Sequence, residues 1–381
     1  MSLRKVIFWP HLALGLLAGA FVAVMAFTGL CLAFEKELAA WAERDLRRVP
    51  VPAQQVDRLT VDELRGRVQA LYPDLRAASA TVSPDPEAAV VFAAGRGAPA
   101  FADPYTGDIR RPAPGRLRRF LDTMNALHRW LALPEAQRPA GRLLNGAANL
   151  AFLALCISGL YLWLPRRFDR RSLRAVAVLN LGLKRRARDW NWHHALGIWT
   201  LPLLVVVSAT AVPISFRWGN DLVYRLAGEA APQQASVHPG SGGRPGRSPE
   251  APLPSYDALL AQAADVVPAW SEMTVGAVRR GPGEGGLAVT VRTPGAWPRT
   301  AAVTLGVDAA TGEIDRVTAW EDQGPGRRAR GWARFLHTGE ALGLPGQVLA
   351  AIACLGALVL VYTGAALSWR RFLGREAAGL P

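Results

Sequence analysis

The sequence predicts a mostly α membrane protein: four transmembrane helices in two parallel repeats, with two small α+β domains between the spans. Three observations predict it. Hydrophobic residues make up 50% of the 381-residue chain and fall in blocks. Each block runs about 20 residues without charge, the length that crosses the hydrocarbon layer as a helix. Basic residues cluster beside these blocks, and the two halves of the chain repeat one order of parts.

Residues 1–35 hold the first span, with His11 near its start. The stretch is long and lacks a clean cleavage site, so it reads as a permanent helix rather than a signal peptide. Residues 36–119 read as the first α+β domain. They hold a charged helical stretch (Thr60 to Leu71), strand character from Ala88 to Ala93, and FADPYTGDI as a turn between strands. Residues 120–165 carry a helix with His128, a Pro/Gly break, and the second span, Leu143 to Leu164. Residues 166–190 form a basic loop, in which 166–189 sets nine Arg/Lys against two Asp. The positive-inside rule makes that loop cytoplasmic.

Residues 191–215 are the third span, with His193 and His194 at its polar edge. Residues 216–330 read as the second α+β domain, with a Pro/Gly/Ser-rich flexible linker at 230–254. A helix is expected at Ser255 to Val267, strands at Leu287 to Val291 and Ala301 to Val307, then the turn VDAATGEI. Residues 331–369 hold a segment with His337 and the fourth span, Val348 to Leu367; 370–381 is a cytoplasmic tail.

The formal charge is +14, but the arginines sit beside spans. Positive-inside topology explains that better than a nucleic-acid partner, and none is expected. Cys31, Cys156 and Cys354 all lie in apolar segments, where a cysteine acts as a small buried hydrophobe. No CxxCH occurs, which excludes covalent haem attachment.

The repeat places the histidines. Asp103, Thr106 and Gly107 match Asp308, Thr311 and Gly312 at an offset of 205; His128 matches His337 at 209, and His11 matches His193 at 182. Like order in each half means both halves cross in the same sense. With both termini cytoplasmic, His11 and His193/His194 lie at cytoplasmic mouths of spans, and His128 and His337 at outer mouths. A b-type haem in a helix bundle takes two axial imidazoles from different helices. One such pair on each side predicts two non-covalent, bis-histidine haem b groups and electron transfer across the bilayer. Two other readings stay open: interfacial histidines that only hydrogen-bond, and a zinc or proton-coupled site, which would want carboxylates or cysteines nearby.

Adjacent helical residues point 100° apart, so His193 and His194 cannot both face one ligand. The HxxxG form shared by His11/Gly15 and His193/Gly197 favours His193, leaving His194 as the alternate or a propionate or donor contact. Arg116, Arg118 and Arg119 precede His128, and Arg327, Arg328, Arg330 and Arg334 precede His337. Arg116, Arg118, Arg328 and Arg330 are candidates for holding propionates or steering an anionic substrate; a headgroup-facing surface is the alternative. No dinucleotide, P-loop or flavin motif occurs, so electrons would come from a quinol or a separate reductase.

HLALG (11–15), FADPYTGDI (101–109), LHRWLAL (127–133), ISGLYLWLPRR (157–167), NWHHALGIW (191–199), VDAATGEI (307–314) and RFLHTGE (334–340) together resemble the PepSY-associated transmembrane family, the iron-regulated membrane proteins. The resemblance covers nearly the whole chain. It implies a multi-pass protein of the bacterial inner membrane with two periplasmic PepSY-like domains. Members similar to it are di-haem siderophore reductases, which pass electrons outward to a ferric siderophore or other ferric chelate and release Fe(II). Carried onto this chain, the ligands would be His11, His193, His128 and His337. Ala132 departs from the glycine that follows His11 and His193 at the like position. Two rival functions stand beside this one. The first is a non-enzymatic binding or regulatory protein acting through the PepSY-like domains. The second, a siderophore or metal permease, is disfavoured by the apolar span cores.

Overall fold

A computed structural model describes residues 2–95, 97–113, 115–165, 169–232, 255–281, 284–298, 301–308 and 311–372. Most of the expected linker, and His238 with it, lies outside the described residues. The chain forms two compact units, one of residues 1–35, 120–229 and 329–381, the other of 36–119 and 230–328.

The first unit is helical. Its long helices are α1 (Leu3–Leu32), α6 (Arg138–Trp163), α8 (Arg185–Ser215) and α12 (Leu344–Phe372). The four helical stretches Leu3–Leu32, Arg116–Trp163, Arg185–Ser215 and Leu344–Phe372 are long and apolar enough to cross a membrane. Short helices flank them: α5 (Arg116–Trp130), α7 (Arg170–Ala177), α9 (Arg217–Leu226) and α11 (Pro325–Thr338). α1 and α8 each pack against both α6 and α12. Lipid tails are as apolar as leucine, so close packing rather than hydrophobicity holds such a bundle together. The seams accordingly use small residues, Ala18, Ala26, Ala148, Ala353 and Ala357. A Cβ on Gly356 of α12 would lie 2.5 Å from the methyl of Thr200 on α8.

Each second span is entered through a sharp turn. Leu131 and Ala132 take φ of 57° and 53° between α5 and α6; Gly339, at 76°, does the equivalent work before α12. Left-handed backbone is costly for leucine and alanine. Gly141 and Gly346 let these turns lie flat on the following helix: a Cβ on either would collide with the carbonyl of Trp130 or Gly339.

The second unit contains α2 (Glu35–Ala42), α3 (Arg44–Arg47), α4 (Val61–Leu71), α10 (Tyr256–Val266) and one antiparallel sheet. Its strands are β1 (Ser79–Val82), β2 (Val90–Ala93), β3 (Ala100–Ala102), β4 (Ile109–Arg110), β5 (Glu272–Gly281), β6 (Glu284–Arg292), β7 (Val303–Val307) and β8 (Ile314–Thr318). Their order is β4-β3-β2-β1-β5-β6-β7-β8. The two soluble regions, expected as separate domains, are therefore two halves of one sheet. β1 and β5 pair with Thr81 opposite Thr274, whose hydroxyls hydrogen-bond at 2.9 Å. An unpaired edge strand is a liability, and here each half's edge satisfies the other. One core spans the seam, with Phe92, Leu64 and Val68 from the first half and Val275, Leu259 and Leu305 from the second.

The helices of the two halves cap each other. Asp257 accepts from the amides of Val61 and Asp62 at 2.8 Å each, while Asp62 accepts from the Ser255 hydroxyl at 2.6 Å and the Asp257 amide at 3.3 Å. Burial opposes charge on Asp62, but the Ser255 hydroxyl, the Asp257 amide and Arg65 outweigh it and hold the carboxyl below its ordinary range. The expected turns are matching hairpin turns. The Asp103 carboxylate accepts from the Tyr105 amide (2.8 Å) and Asp308 from the Thr311 amide (3.1 Å), with Gly107 and Gly312 at φ of 77° and 73°.

Candidate functional site

Five histidines are gathered at the two ends of the helical unit. At one end His11 projects from the first turns of α1, and His193 from the equivalent part of α8. His11 Nδ1 lies 2.8 Å from the Ser158 hydroxyl of α6, and His193 Nδ1 lies 2.9 Å from the Thr363 hydroxyl of α12. At the other end His128, on α5, sits 2.9 Å from the Thr28 hydroxyl of α1, and His337, on α11, sits 3.0 Å from the Val207 carbonyl of α8.

These contacts bear on the tautomers. A hydroxyl has one proton to give. Ser158 gives its proton to the Ala154 carbonyl (2.7 Å), Thr363 to Val359 (2.7 Å) and Thr28 to Val24 (2.6 Å). With the hydroxyls donating in this way, each accepts from the imidazole and Nδ1 carries the ring proton. A backbone carbonyl imposes the same on His337. In that tautomer Nε2 keeps its lone pair, the form in which histidine binds a metal, with the other ring N–H held by an oriented acceptor.

Glycines thin the walls around three rings. A Cβ on Gly159 would lie 3.4 Å from His11 Cε1, on Gly364 3.5 Å from His193 Cε1, and on Gly29 3.4 Å from His128 Cε1. Each glycine directly follows the hydroxyl residue, in the pairs Thr28-Gly29, Ser158-Gly159 and Thr363-Gly364. These hydroxyls were not among the residues picked out from sequence. The signal that finds them is a Ser/Thr-Gly pair in the span facing each of these three histidines.

The rings of His128 and His337 have centroids 6.3 Å apart and planes tilted by 47°. Two imidazoles joined end-on through one metal, at about 2 Å per metal–nitrogen bond, hold their centroids roughly 6 Å apart. The spacing suits one shared metal. Asn145 donates to the His128 carbonyl at 2.9 Å and fastens the C-terminal turn of α5 to α6.

The other end is roomier. His11, His193 and His194 line a cavity of about 680 Å³ with Gly15, Gly159 and Gly364. Pockets for cofactor-sized ligands have this volume. Arg4, Arg186 and Arg371 stand on its lining. His194 has a different setting from its neighbour. Its Nδ1 donates to the Trp190 carbonyl on its own helix at 2.8 Å, and its ring stacks on Trp190 at 4.2 Å. His193 repeats the surroundings of His11 and His194 does not.

The arginines singled out from sequence are not one cluster. Arg118 is held by the Glu43 carboxylate (3.0 Å) and the Gly97 carbonyl (2.7 Å). Arg330 donates to the Asn220 side chain at 3.1 Å. Arg116 is exposed and Arg328 half-buried. Among the described residues, no group of three or more His, Cys, Asp or Glu could hold a metal ion by itself. The three cysteines are free thiols. Imidazoles thus stand at both ends, two with ring centroids 6.3 Å apart at one and three around the cavity at the other.

No curated protein matches the chain. A family match does exist, to the PepSY-associated TM region, and it runs over residues 8–371. With four helices among its described residues long and apolar enough to cross a membrane, this chain belongs to the family of the PepSY-associated TM region.

Proposed function

We propose that the protein is a di-haem b membrane electron-transfer protein. It would take electrons from a quinol or a separate reductase and deliver them to a ferric siderophore or other ferric chelate, releasing Fe(II). The observation that carries this reading is the set of four imidazoles at the two ends of the helical unit, each with its Nδ1 held by an oxygen on a facing helix. His11 with His193, and His128 with His337, would hold the two groups, and His194 would stand beside the first. Bound there, haem supplies a one-electron Fe(III)/Fe(II) couple.

The chain's own residues do the rest. Ser158, Thr363, Thr28 and the Val207 carbonyl orient the rings and raise their basicity as ligands. Gly159, Gly364 and Gly29 leave room beside them. Arg4, Arg186 and Arg371 at the wide end are placed to pair with anionic groups. By the positive-inside rule the basic residues between the second and third spans would set that end toward the cytoplasm, and the soluble regions would then be periplasmic. Reduction of a ferric chelate loosens the hard oxygen ligands that hold the iron, which is how release would follow.

The test uses proteoliposomes with a quinol in the bilayer, a ferric chelate outside and an Fe(II)-specific chromophore to trap product. Fe(II) should accumulate with the full chain and fall to background with His128→Ala or His11→Ala. Equal Fe(II) release from the variants would reject the reading.

A second reading is favoured by a different observation: the two soluble regions make one continuous sheet ending in edge strands β4 and β8. Edge strands offer unpaired backbone groups to a partner chain. On this reading the protein is a non-enzymatic membrane binding or regulatory protein that acts through the sheet. Its function would survive His128→Ala and His337→Ala and would fail when β8 is blocked by proline at Arg316.

A further inference from the structure

A second cavity, of about 1000 Å³, lies between α7, the loop that follows it and the first turns of α8. Its lining combines the guanidinium side chains Arg171, Arg174 and Arg186 with the apolar Val178, Leu181 and Trp190. Leu181 is 74% exposed, and Val178 and Trp190 are 48% and 42% exposed. The arginines are exposed too. None has a carboxylate partner among the described residues, because both acids of this region are engaged elsewhere. Asp169 caps α7 through the Ser172 amide (2.8 Å), and Asp189 is buried against Arg188 (2.8 Å) and Arg370.

The cavity is built, not a chance gap in a loose loop. Buried Asn191 donates to the carbonyls of Ala175 (3.1 Å) and Val178 (3.0 Å) and accepts from the Asn180 amide (2.9 Å). Trp163 and Trp199 donate to the carbonyls of Val176 (3.2 Å) and Ala177 (2.7 Å). Side chains of two membrane helices thus pin the loop backbone. They hold unpaired guanidiniums and bare aliphatic side chains around one space.

We infer that this cavity binds an anionic glycerophospholipid, its phosphodiester among Arg171, Arg174 and Arg186 and its acyl chains along Val178, Leu181 and Trp190. Guanidinium forks match phosphate oxygens, and basic pockets beside membrane helices recognise anionic headgroups. A soluble phosphate would use the arginines but leave the apolar lining wet, which selects the lipid. Arg186 and Trp190 also line the cavity of His11 and His193, so a bound headgroup braces the first turn of α8 beside that site. The inference does not depend on the redox reading.

The experiment is native mass spectrometry of the full chain in neutral detergent, titrated with dioleoyl phosphatidylglycerol, dioleoyl phosphatidylcholine or inorganic phosphate. Phosphatidylglycerol should bind in a saturable one-lipid step, and the other two should not compete. Each guanidinium beside a headgroup contributes roughly fivefold, so Arg171→Gln, Arg174→Gln and Arg186→Gln together should weaken binding on the order of 100-fold. The control removes the same charge from the same loop outside the cavity, with Arg170→Gln, Lys184→Gln and Arg185→Gln; it should change binding less than about threefold. Leu181→Asp, at an exposed position that folding does not need, should weaken the lipid by about tenfold or more. Equal losses in the two triple variants would mean a diffuse basic surface and overturn the site. Competition by inorganic phosphate, or equal binding of phosphatidylcholine, would overturn the lipid assignment.

Discussion

The two ends of the helical unit use one device in two packings. At the His128/His337 end the rings stand 6.3 Å apart between short helices that fold back onto the spans. At the His11/His193 end the rings share a cavity of about 680 Å³ with a third histidine and a basic lining. Both ends tie Nδ1 to an acceptor on a facing helix. The acceptor on the facing helix orients each ring, and the surrounding packing sets how much space lies beside it and what charge lines that space.

The largest expected effect breaks one end and spares the other. His128→Ala with His337→Ala should halve the haem bound per chain and leave the spectrum of the remaining group intact; His11→Ala with His193→Ala should do the reverse. Pyridine haemochrome assay against protein concentration reads this. His194→Ala should keep both groups, because its ring is tied to its own helix.

Next in size is a packing contrast. Gly141→Ala drives a methyl into the Trp130 carbonyl at the turn that positions His128, and overpacking of this kind costs about 1–3 kcal/mol. Gly15→Ala, at the open end, meets nothing within 4 Å and should change thermal stability by less than about 0.5 kcal/mol. Thermal unfolding in detergent compares them. Equal destabilisation would contradict the tight-versus-open distinction.

A hydroxyl deletion sharpens the tautomer argument. Thr363→Val or Thr28→Val leaves a buried imidazole N–H without its acceptor and should weaken metal-group retention by about 10–100-fold at that end alone. His337 is resistant to this test because its acceptor is the backbone of Val207.

The smallest effect lies in the sheet unit and serves as a reference. The Arg111 guanidinium, 2.6 Å from Asp74, holds that exposed carboxyl below its ordinary range. A depressed carboxyl pKa stabilises the fold above the ordinary value, and the contribution is lost as pH falls through the lowered one. Asp74→Asn should leave stability near neutral pH almost unchanged and flatten its acid limb slightly, with no change at either histidine end.

Much of this was legible in the sequence, for identifiable reasons. Span lengths follow from bilayer thickness, so all four came within a few residues, although α8 begins at Arg185 rather than at residue 191. The hairpin turns were legible because Asp-x-x-Thr-Gly specifies its own hydrogen bonds. The joined sheet was not. The joining strands are SATV and EMTVGAVRRG, short or broken by glycine and arginine, and neither alternates clearly. Without β1 and β5 each soluble region reads as a separate domain. At the site the histidines were legible because polar rings at span mouths stand out. Their acceptors were not, since a serine or threonine inside a span usually bonds only to its own helix. Thr28, Ser158 and Thr363 do that as well, which is why they can accept from a histidine. The choice of His193 over His194 rested on Gly197 in the sequence, whereas in the structure Thr363 and Gly364 distinguish the two.

The most direct test is the reduced-minus-oxidised spectrum of the purified full chain, with haem counted per polypeptide. Two low-spin, bis-imidazole b-type groups per chain are expected, one lost with each histidine pair. A chain that folds with no haem, or with a five-coordinate high-spin group unaffected by His128→Ala and His193→Ala, would contradict the account.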